Sequence, residues 1–312
     1  MKKKIVFFFA LCLVGVSTAW AQQDPQYSMY MFNGLLVNPA YAGSRELVSV
    51  TALGRYQWVG IDGSPKTATF SIHGPSRNEK SGFGLNVYND RLGFTNQTSA
   101  NAMYAYRLEL GPGILSLGLQ GGALLHNNRW QDAVTINPDA GAPATSTTAI
   151  LPMAGTGAYY YGERFYLGAA IPNFIPNKYK NPNSVNGNVA SRQKMHIFAT
   201  AGIVLPLGED LDFKPSVMMK YTQNAPIEFD FNAAMLFKKV LWVGASYRTG
   251  DALVFMSEYV FKNQFRLGYA YDLTLTPLRT YNSGSHEIML GLDLGWNKSR
   301  IKKYKFKWQQ LN

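Results

Sequence analysis

The stretch PIEFDFNAAMLF, residues 226–237, decides the fold. Ile227, Phe229, Phe231, Ala233, Met235 and Phe237 fall on one face of an extended chain, and Glu228, Asp230, Asn232 and Ala234 on the other. Side chains two apart share a face only in a strand, whereas a helix would scatter this apolar set around its circumference. The same alternation sets Ala68, Phe70 and Ile72 against Thr67, Thr69, Ser71 and His73, and Ala100, Ala102, Tyr104 and Tyr106 against Ser99, Asn101, Met103 and Arg107. It returns in Phe265, Leu267, Tyr269, Tyr271 and Leu273 against Arg266, Gly268, Ala270 and Asp272, and in Ile288, Leu290, Leu292, Leu294 and Trp296 against Gly291, Asp293 and Gly295.

Working outward, the pattern predicts fourteen strands, near residues 46–59, 66–74, 82–89, 97–109, 114–127, 150–161, 164–171, 194–205, 211–223, 226–238, 240–248, 252–261, 264–273 and 286–297. Beyond the first few strands every second connection is short, as at 110–113, 162–163, 206–210, 238–239 and 262–264. The long ones, 128–149, 172–193 and 274–285, all belong to the other set. Short turns at one end and long loops at the other mark a transmembrane antiparallel outer-membrane β-barrel, and an even strand number puts both termini on the periplasmic side. A secreted soluble β-sandwich is the competing architecture. Against it stand apolar faces five or six positions long, small polar side chains interleaved with glycine, and aromatics near strand ends: Tyr159, Tyr160, Tyr161, Trp242 and Trp296. Those suit a lipid-facing band with aromatic girdles around a polar lumen. A closed barrel also pairs every lipid-exposed backbone group, which an open sheet cannot do.

Composition agrees. Charged residues are 16% of the 312 and aromatics 14%, with 29 glycines and 19 tyrosines; soluble domains carry about 25% charged residues. The chain opens with a basic Met1, Lys2, Lys3, Lys4, an apolar run over residues 5–16 and an Ala19, Trp20, Ala21 cleavage site, the three parts of a secretory signal peptide over residues 1–21. The apolar run is too short for a spanning helix. The single cysteine, Cys12, lies inside this leader, so the mature chain offers no disulfide and no thiol chemistry. The formal net charge of +11 falls to +8 without the three leader lysines, and six of those positives crowd a basic tail over residues 298–312. That charge belongs to the tail and does not point to nucleic acid; the tail suits anionic lipid or an acidic partner, or is a solvated end.

Motifs for chemistry are missing. His73, His126, His196 and His286 fall on separate strands, none with a second ligand at metal spacing. The sequence contains no G-x-S-x-G, H-E-x-x-H, phosphate loop or dinucleotide fingerprint. LSLGLQGG, residues 115–122, lies inside an alternating strand, where glycine implies close backbone packing or curvature. The carboxylate pairs Glu228 with Asp230 and Asp210 with Asp212 share faces, as a glycosidase pair does, but lumen-lining charge explains them as well. We expect no catalysis, no cofactor and no metal.

Residues 22–45 follow the leader and precede the barrel of residues 46–297. Pro25 and Pro39 block a continuous helix or ladder, yet Tyr27, Met29, Tyr30, Met31, Phe32, Leu35, Leu36, Val37 and Tyr41 are too much apolar surface for a free linker. The segment reads as docked in or over the periplasmic opening, with Asn33, Asn38 and the Pro39 turn satisfying lumen groups such as Glu228 and Asp230. On the strand of residues 226–237, Phe231→Arg should impair folding while Asn232→Arg, on the lumen face, should be tolerated.

The segment also carries a resemblance. Asp24, Gln26, Tyr27, Ser28, Tyr30, Met31 and Asn33, running into Asn38 to Gly43 (N-P-A-Y-A-G), resemble the opening of the PorP/SprF family of type IX secretion system membrane proteins of Bacteroidetes. NDRLGFTNQTS (89–99), YAYRLEL (104–110) and SHEIMLGLDL (285–294) resemble its middle and C-terminal parts, whereas the lysine-rich tail is not a recognised family feature. The resemblance implies an outer-membrane barrel associated with type IX export, supporting secretion or surface display of proteins such as large adhesins, or gliding motility. Its partners would be outer-membrane lipid and the periplasmic ring or peptidoglycan-tethered components. Asp24, Gln26, Tyr27, Tyr30, Asn33, Asn38, Pro39, Tyr41 and Gly43 are the expected partner-binding residues. A passive channel or hydrophobic-solute transporter with the segment as lumen plug is the alternative.

Overall fold

The structure is a computed structural model that describes residues 25–45, 47–132, 146–180 and 189–295. The proposed leader, Asp24, Trp296 and the basic tail lie outside the described residues. Fourteen antiparallel strands close into a barrel. They are β1 (Val48–Tyr56), β2 (Lys66–Pro75), β3 (Ser81–Leu92), β4 (Thr95–Leu110), β5 (Gly113–Asn128), β6 (Thr147–Tyr161) and β7 (Phe165–Ile171). There follow β8 (His196–Ile203), β9 (Leu211–Thr222), β10 (Glu228–Phe237), β11 (Leu241–Arg248), β12 (Ala252–Phe261), β13 (Phe265–Thr274) and β14 (Ser285–Leu294). Leu205–Pro206 continues β8 past Val204, and Lys178–Lys180 pairs with Val189–Arg192 as a separate ribbon in the β7–β8 connection. Each strand pairs with its sequence neighbours, and β1 pairs with β14 from Val48 opposite Leu294 to Tyr56 opposite His286, so the sheet closes on itself.

Both ends of the closed sheet lie at one end of the barrel, here the terminal end. The turns there span residues 76–80, 111–112, 162–164, 238–240 and 262–264, while the opposite, loop end carries 57–65, 129–146, 172–195 and 275–284. Alternation runs through every strand. Along β10, Phe231 is 53% exposed on the outer face while Asp230 and Asn232 are buried inside. Along β2, Phe70 faces out, and Thr67, Thr69, Ser71 and His73 face in. The outer face is the apolar band expected for lipid, studded with Leu119, Leu167, Phe255, Leu267 and Leu290.

The aromatic girdle departs from expectation. Trp242 is fully buried in the lumen, as are Tyr159 and Tyr161. Parity is the reason: Val243 next to Trp242 takes the lipid face, and Tyr160 between the two tyrosines packs outside on Phe165. These rings serve the inside of the barrel.

Candidate functional site in the plugged lumen

Residues 25–45 thread the lumen. Three short 3-10 turns, Tyr30–Phe32, Gly34–Leu36 and Pro39–Tyr41, use local bonds for part of the backbone. Asn38 and Pro39 account for the third: the Asn38 side chain accepts from the Ala40 N–H at 2.9 Å, and Pro39 supplies a helical φ at a position whose N–H is not needed. Gly43 ends the run in the left-handed region, φ 75°.

The other backbone groups are satisfied by the barrel wall. Near the loop end, Glu287 accepts from the N–H groups of Ser28 (2.9 Å) and Met29 (2.8 Å). Ser28 Oγ donates to Asp272 at 2.7 Å, and the Arg55 guanidinium spans Asp272 (2.8 Å) and Glu287 (3.0 Å). Arg248 reaches Asp230 (3.2 Å), Asp251 (3.2 Å) and Asp272 (3.4 Å), and Lys220 lies between Glu228 (2.6 Å) and Asp230 (3.0 Å). A second network sits at the terminal end, where Arg45 meets Asp293 at 3.2 Å and Arg266 bridges Asp293 (3.1 Å) and Glu258 (3.3 Å). Arg266 also donates to the Phe32 carbonyl at 3.2 Å. Between the networks lies an apolar waist in which Met29, Tyr30, Met31 and Phe32 pack with Met218, Trp242, Met256 and Met289. Buried ion pairs of this kind hold their geometry because each charge faces an opposite one; removing one leaves charge uncompensated.

The wall from β3 to β8 holds the segment by other means. Tyr41 packs edge-on against His73 and Tyr159, its phenol pushed up to about 12 by burial. Asn38 Nδ2 donates to the Ala158 carbonyl at 3.0 Å, Ser116 Oγ to the Ala40 carbonyl at 2.7 Å, and Arg107 to the Gly43 carbonyl at 2.7 Å. Gly118 lies directly under the Pro39–Ala40 peptide, and any Cβ there would collide with that backbone. The glycine-rich run of β5 is thus close backbone packing, as its alternation implied.

Of the residues expected to bind a partner, Asp24 lies outside the described residues and Gln26 is half-buried. The rest turn inward. Tyr27 bonds Thr69 (2.9 Å), Tyr30 accepts from Asn232 (2.8 Å), Asn33 donates to Ser71 (2.8 Å), and the Gly43 N–H donates to His73 Nδ1 (3.1 Å). Asn38, Pro39 and Tyr41 are buried as described. Two details differ from expectation. Glu228 and Asp230 are satisfied by Lys220 and Arg248 and not by Asn33 or Asn38, because cations of neighbouring strands sit across from them in register. And the segment runs the length of the networks: Ser28 lies by the loop-end cluster, Gly43 and Arg45 at the terminal end. Sequence reasoning did not single out Arg55, Arg248, Arg266, Glu258 or Glu287; their inward parity was the available signal.

Among solved structures, the chain is similar to Omp33 of Acinetobacter baumannii (9% identity, TM-score 0.46), covering 80% of this chain and 98% of that one. It is also similar to the CymD monoaromatic hydrocarbon channel (11%, TM-score 0.47; 86% and 92% covered) and to a FadL homologue of Pseudomonas aeruginosa (11%, TM-score 0.44; 89% and 96% covered). No curated protein matches. The family described as type IX secretion system membrane protein PorP/SprF matches residues 19–292, nearly the whole chain, and the protein belongs to that family.

Proposed function

We propose that the protein acts in type IX secretion through protein–protein contacts at the rims of a plugged barrel, supporting export or surface display of secreted proteins such as adhesins. The observation that carries this reading is the filled lumen. Residues 25–45 are tied to the wall at both ends by buried ion networks and at the waist by close packing, which leaves the barrel poorly suited to passing solutes. The terminal end is then the periplasmic face, where ring or peptidoglycan-tethered components would dock. Residues 27–43 contribute to that docking by shaping the rim from within, since their side chains are largely occupied inside the lumen.

Deleting residues 24–40 tests this against truncation after residue 297. The deletion should leave an inserted barrel that no longer supports export or crosslinks to its periplasmic partners. If the deletion strain secretes normally and the truncated one does not, the tail is the docking element. Rapid uptake of small solutes by liposomes bearing the intact protein would favour the channel reading instead.

A further inference from the structure

The barrel wall is incomplete between β6 and β8. β6 runs from Thr147 to Tyr161, but β7 stops at Ile171, so among the described residues only Thr156 to Tyr161 of β6 have a strand partner on that side. A strand spanning the hydrocarbon needs about 9–11 residues, and the seven of β7 fall short. Above Ile171, among the described residues, the β6 edge is met by the Phe174 N–H, which donates to the Ala154 carbonyl at 2.9 Å, and by side chains. Asn173 Oδ1 accepts from the Ala154 N–H (3.2 Å), and Asn177 Nδ2 donates to the Pro152 carbonyl (2.9 Å). Gln193 Oε1 accepts from both Asn173 (3.1 Å) and Asn177 (3.0 Å). Ala154 directs its N–H and carbonyl to this edge, so by the two-residue period Pro152 directs its nitrogen there too, where no ladder needs a donor. The departure point is equally shaped: Pro172 bends over Gly155, whose missing side chain leaves room for its carbonyl, and Gln120 donates to that carbonyl from inside.

Each side of this seam holds a hollow. On the lipid face, Ala158, Ala169, Ala199 and Ala201 form the floor of a depression of about 440 Å³ walled by Leu167 and Phe229, one layer below the seam. Inside, above the plug, a cavity of about 60 Å³ touches Pro172, Met153 and Phe198 of the seam and reaches Asn86 and Asn101. Those two amides are 6% and 3% exposed, and neither amide oxygen has a partner among the described residues. Two buried acceptors without donors point to a ligand that brings donors.

We propose that the seam is a lateral portal for a single-chain amphiphile. Its acyl chain lies in the alanine-floored depression, and its hydrogen-bond-donating head passes the Asn173, Asn177 and Gln193 seal to reach Asn86 and Asn101. Because those amides seal with neutral side-chain bonds and not with a ladder, the portal opens without breaking strand pairing.

The test uses full-length protein in phospholipid vesicles and two photoreactive probes, a diazirine-bearing twelve-carbon alcohol and its methyl ether. The alcohol should label peptides around Ala169 and Ala199 and those of Met103 and Met153 saturably; the ether, which has no donor, should label the inner pair at least tenfold less. Ala169→Phe, which fills the outer depression without touching the seal, should lower saturable labelling at both places about tenfold. Asn173→Ala with Asn177→Ala should raise inner labelling several-fold while the barrel keeps its heat-dependent gel shift. Labelling spread evenly over the lipid belt without saturation, or equal inner labelling by alcohol and ether, overturns the proposal. The readout involves no secretion partner, so it fails or succeeds independently of the export role.

Discussion

The two halves of the lumen solve one problem by opposite means. From β9 through β14 to β1, inward positions carry Lys214, Lys220, Glu228, Asp230, Arg248, Glu258, Arg266, Asp272, Glu287, Asp293 and Arg55. From β3 to β8 the buried inward charge is Arg107, with Asp90 half-buried, and the rest of the wall is mostly neutral: amides, hydroxyls, tyrosines, methionines, leucines, alanines, glycines and two histidines. The charged half fixes the plug's position, because each ion pair has one geometry and a large penalty for losing it. The neutral half fits the plug by shape, and there the unpartnered amide oxygens of Asn86 and Asn101 border a cavity. Rigidity and spare room are thus separated around one barrel.

Four substitutions and one control probe that contrast, in order of expected effect. Arg248→Ala removes the cation shared by Asp230, Asp251 and Asp272, leaving a buried excess of negative charge to Lys220 and Arg55, and should destabilise the folded barrel by about 3–5 kcal/mol, read from urea unfolding in detergent. Asn101→Ala on the neutral wall is the control; if both cost the same, the charged half is not the anchor. Phe231→Arg, on the lipid face of the same strand pair, should cost roughly 2–4 kcal/mol near mid-bilayer, read as lost insertion into vesicles. Gly118→Val forces the Pro39–Ala40 backbone off β5 and should cost about 1–3 kcal/mol as overpacking, with protease cleavage inside residues 25–45 as its readout. Tyr27→Phe removes one neutral hydrogen bond to Thr69 and should cost about 0.5–1.5 kcal/mol, a small shift in the same urea midpoint.

How much of this was legible depends on the period. Alternation like that of residues 226–237, recurring along the chain, placed all fourteen strands and both faces, because burial on one side of a pleat leaves a mark at every second residue. Loop lengths gave the two ends. The pairings within the lumen were not legible, since Arg55 meets Asp272 and Glu287 only once strands far apart in sequence are curled together. Trp242 shows a sign that was present and misread: it shares parity with the inward Arg248, so it belonged inside. Asn232 is the instructive failure. A polar lumen face suggested that Asn232→Arg would be tolerated, but the lumen is full, and Asn232 is buried against Tyr30 and Ser216. Arginine there has no water to enter and must expel the plug. Period two tells which way a side chain points, not what waits for it.

The tie between the plug and β14 has a kinetic side. Ser28 and Met29 are held by Glu287, 259 and 258 positions away, and Arg45 is held by Asp293, 248 away. Contacts between the first and last parts of a chain carry the greatest loop-closure entropy and form late. Residues 25–45 therefore settle late, and a chain that stops before β14 offers them neither carboxylate. Plug docking should thus report barrel completion: a chain lacking β14 should leave residues 25–45 open to protease, and the complete barrel should protect them.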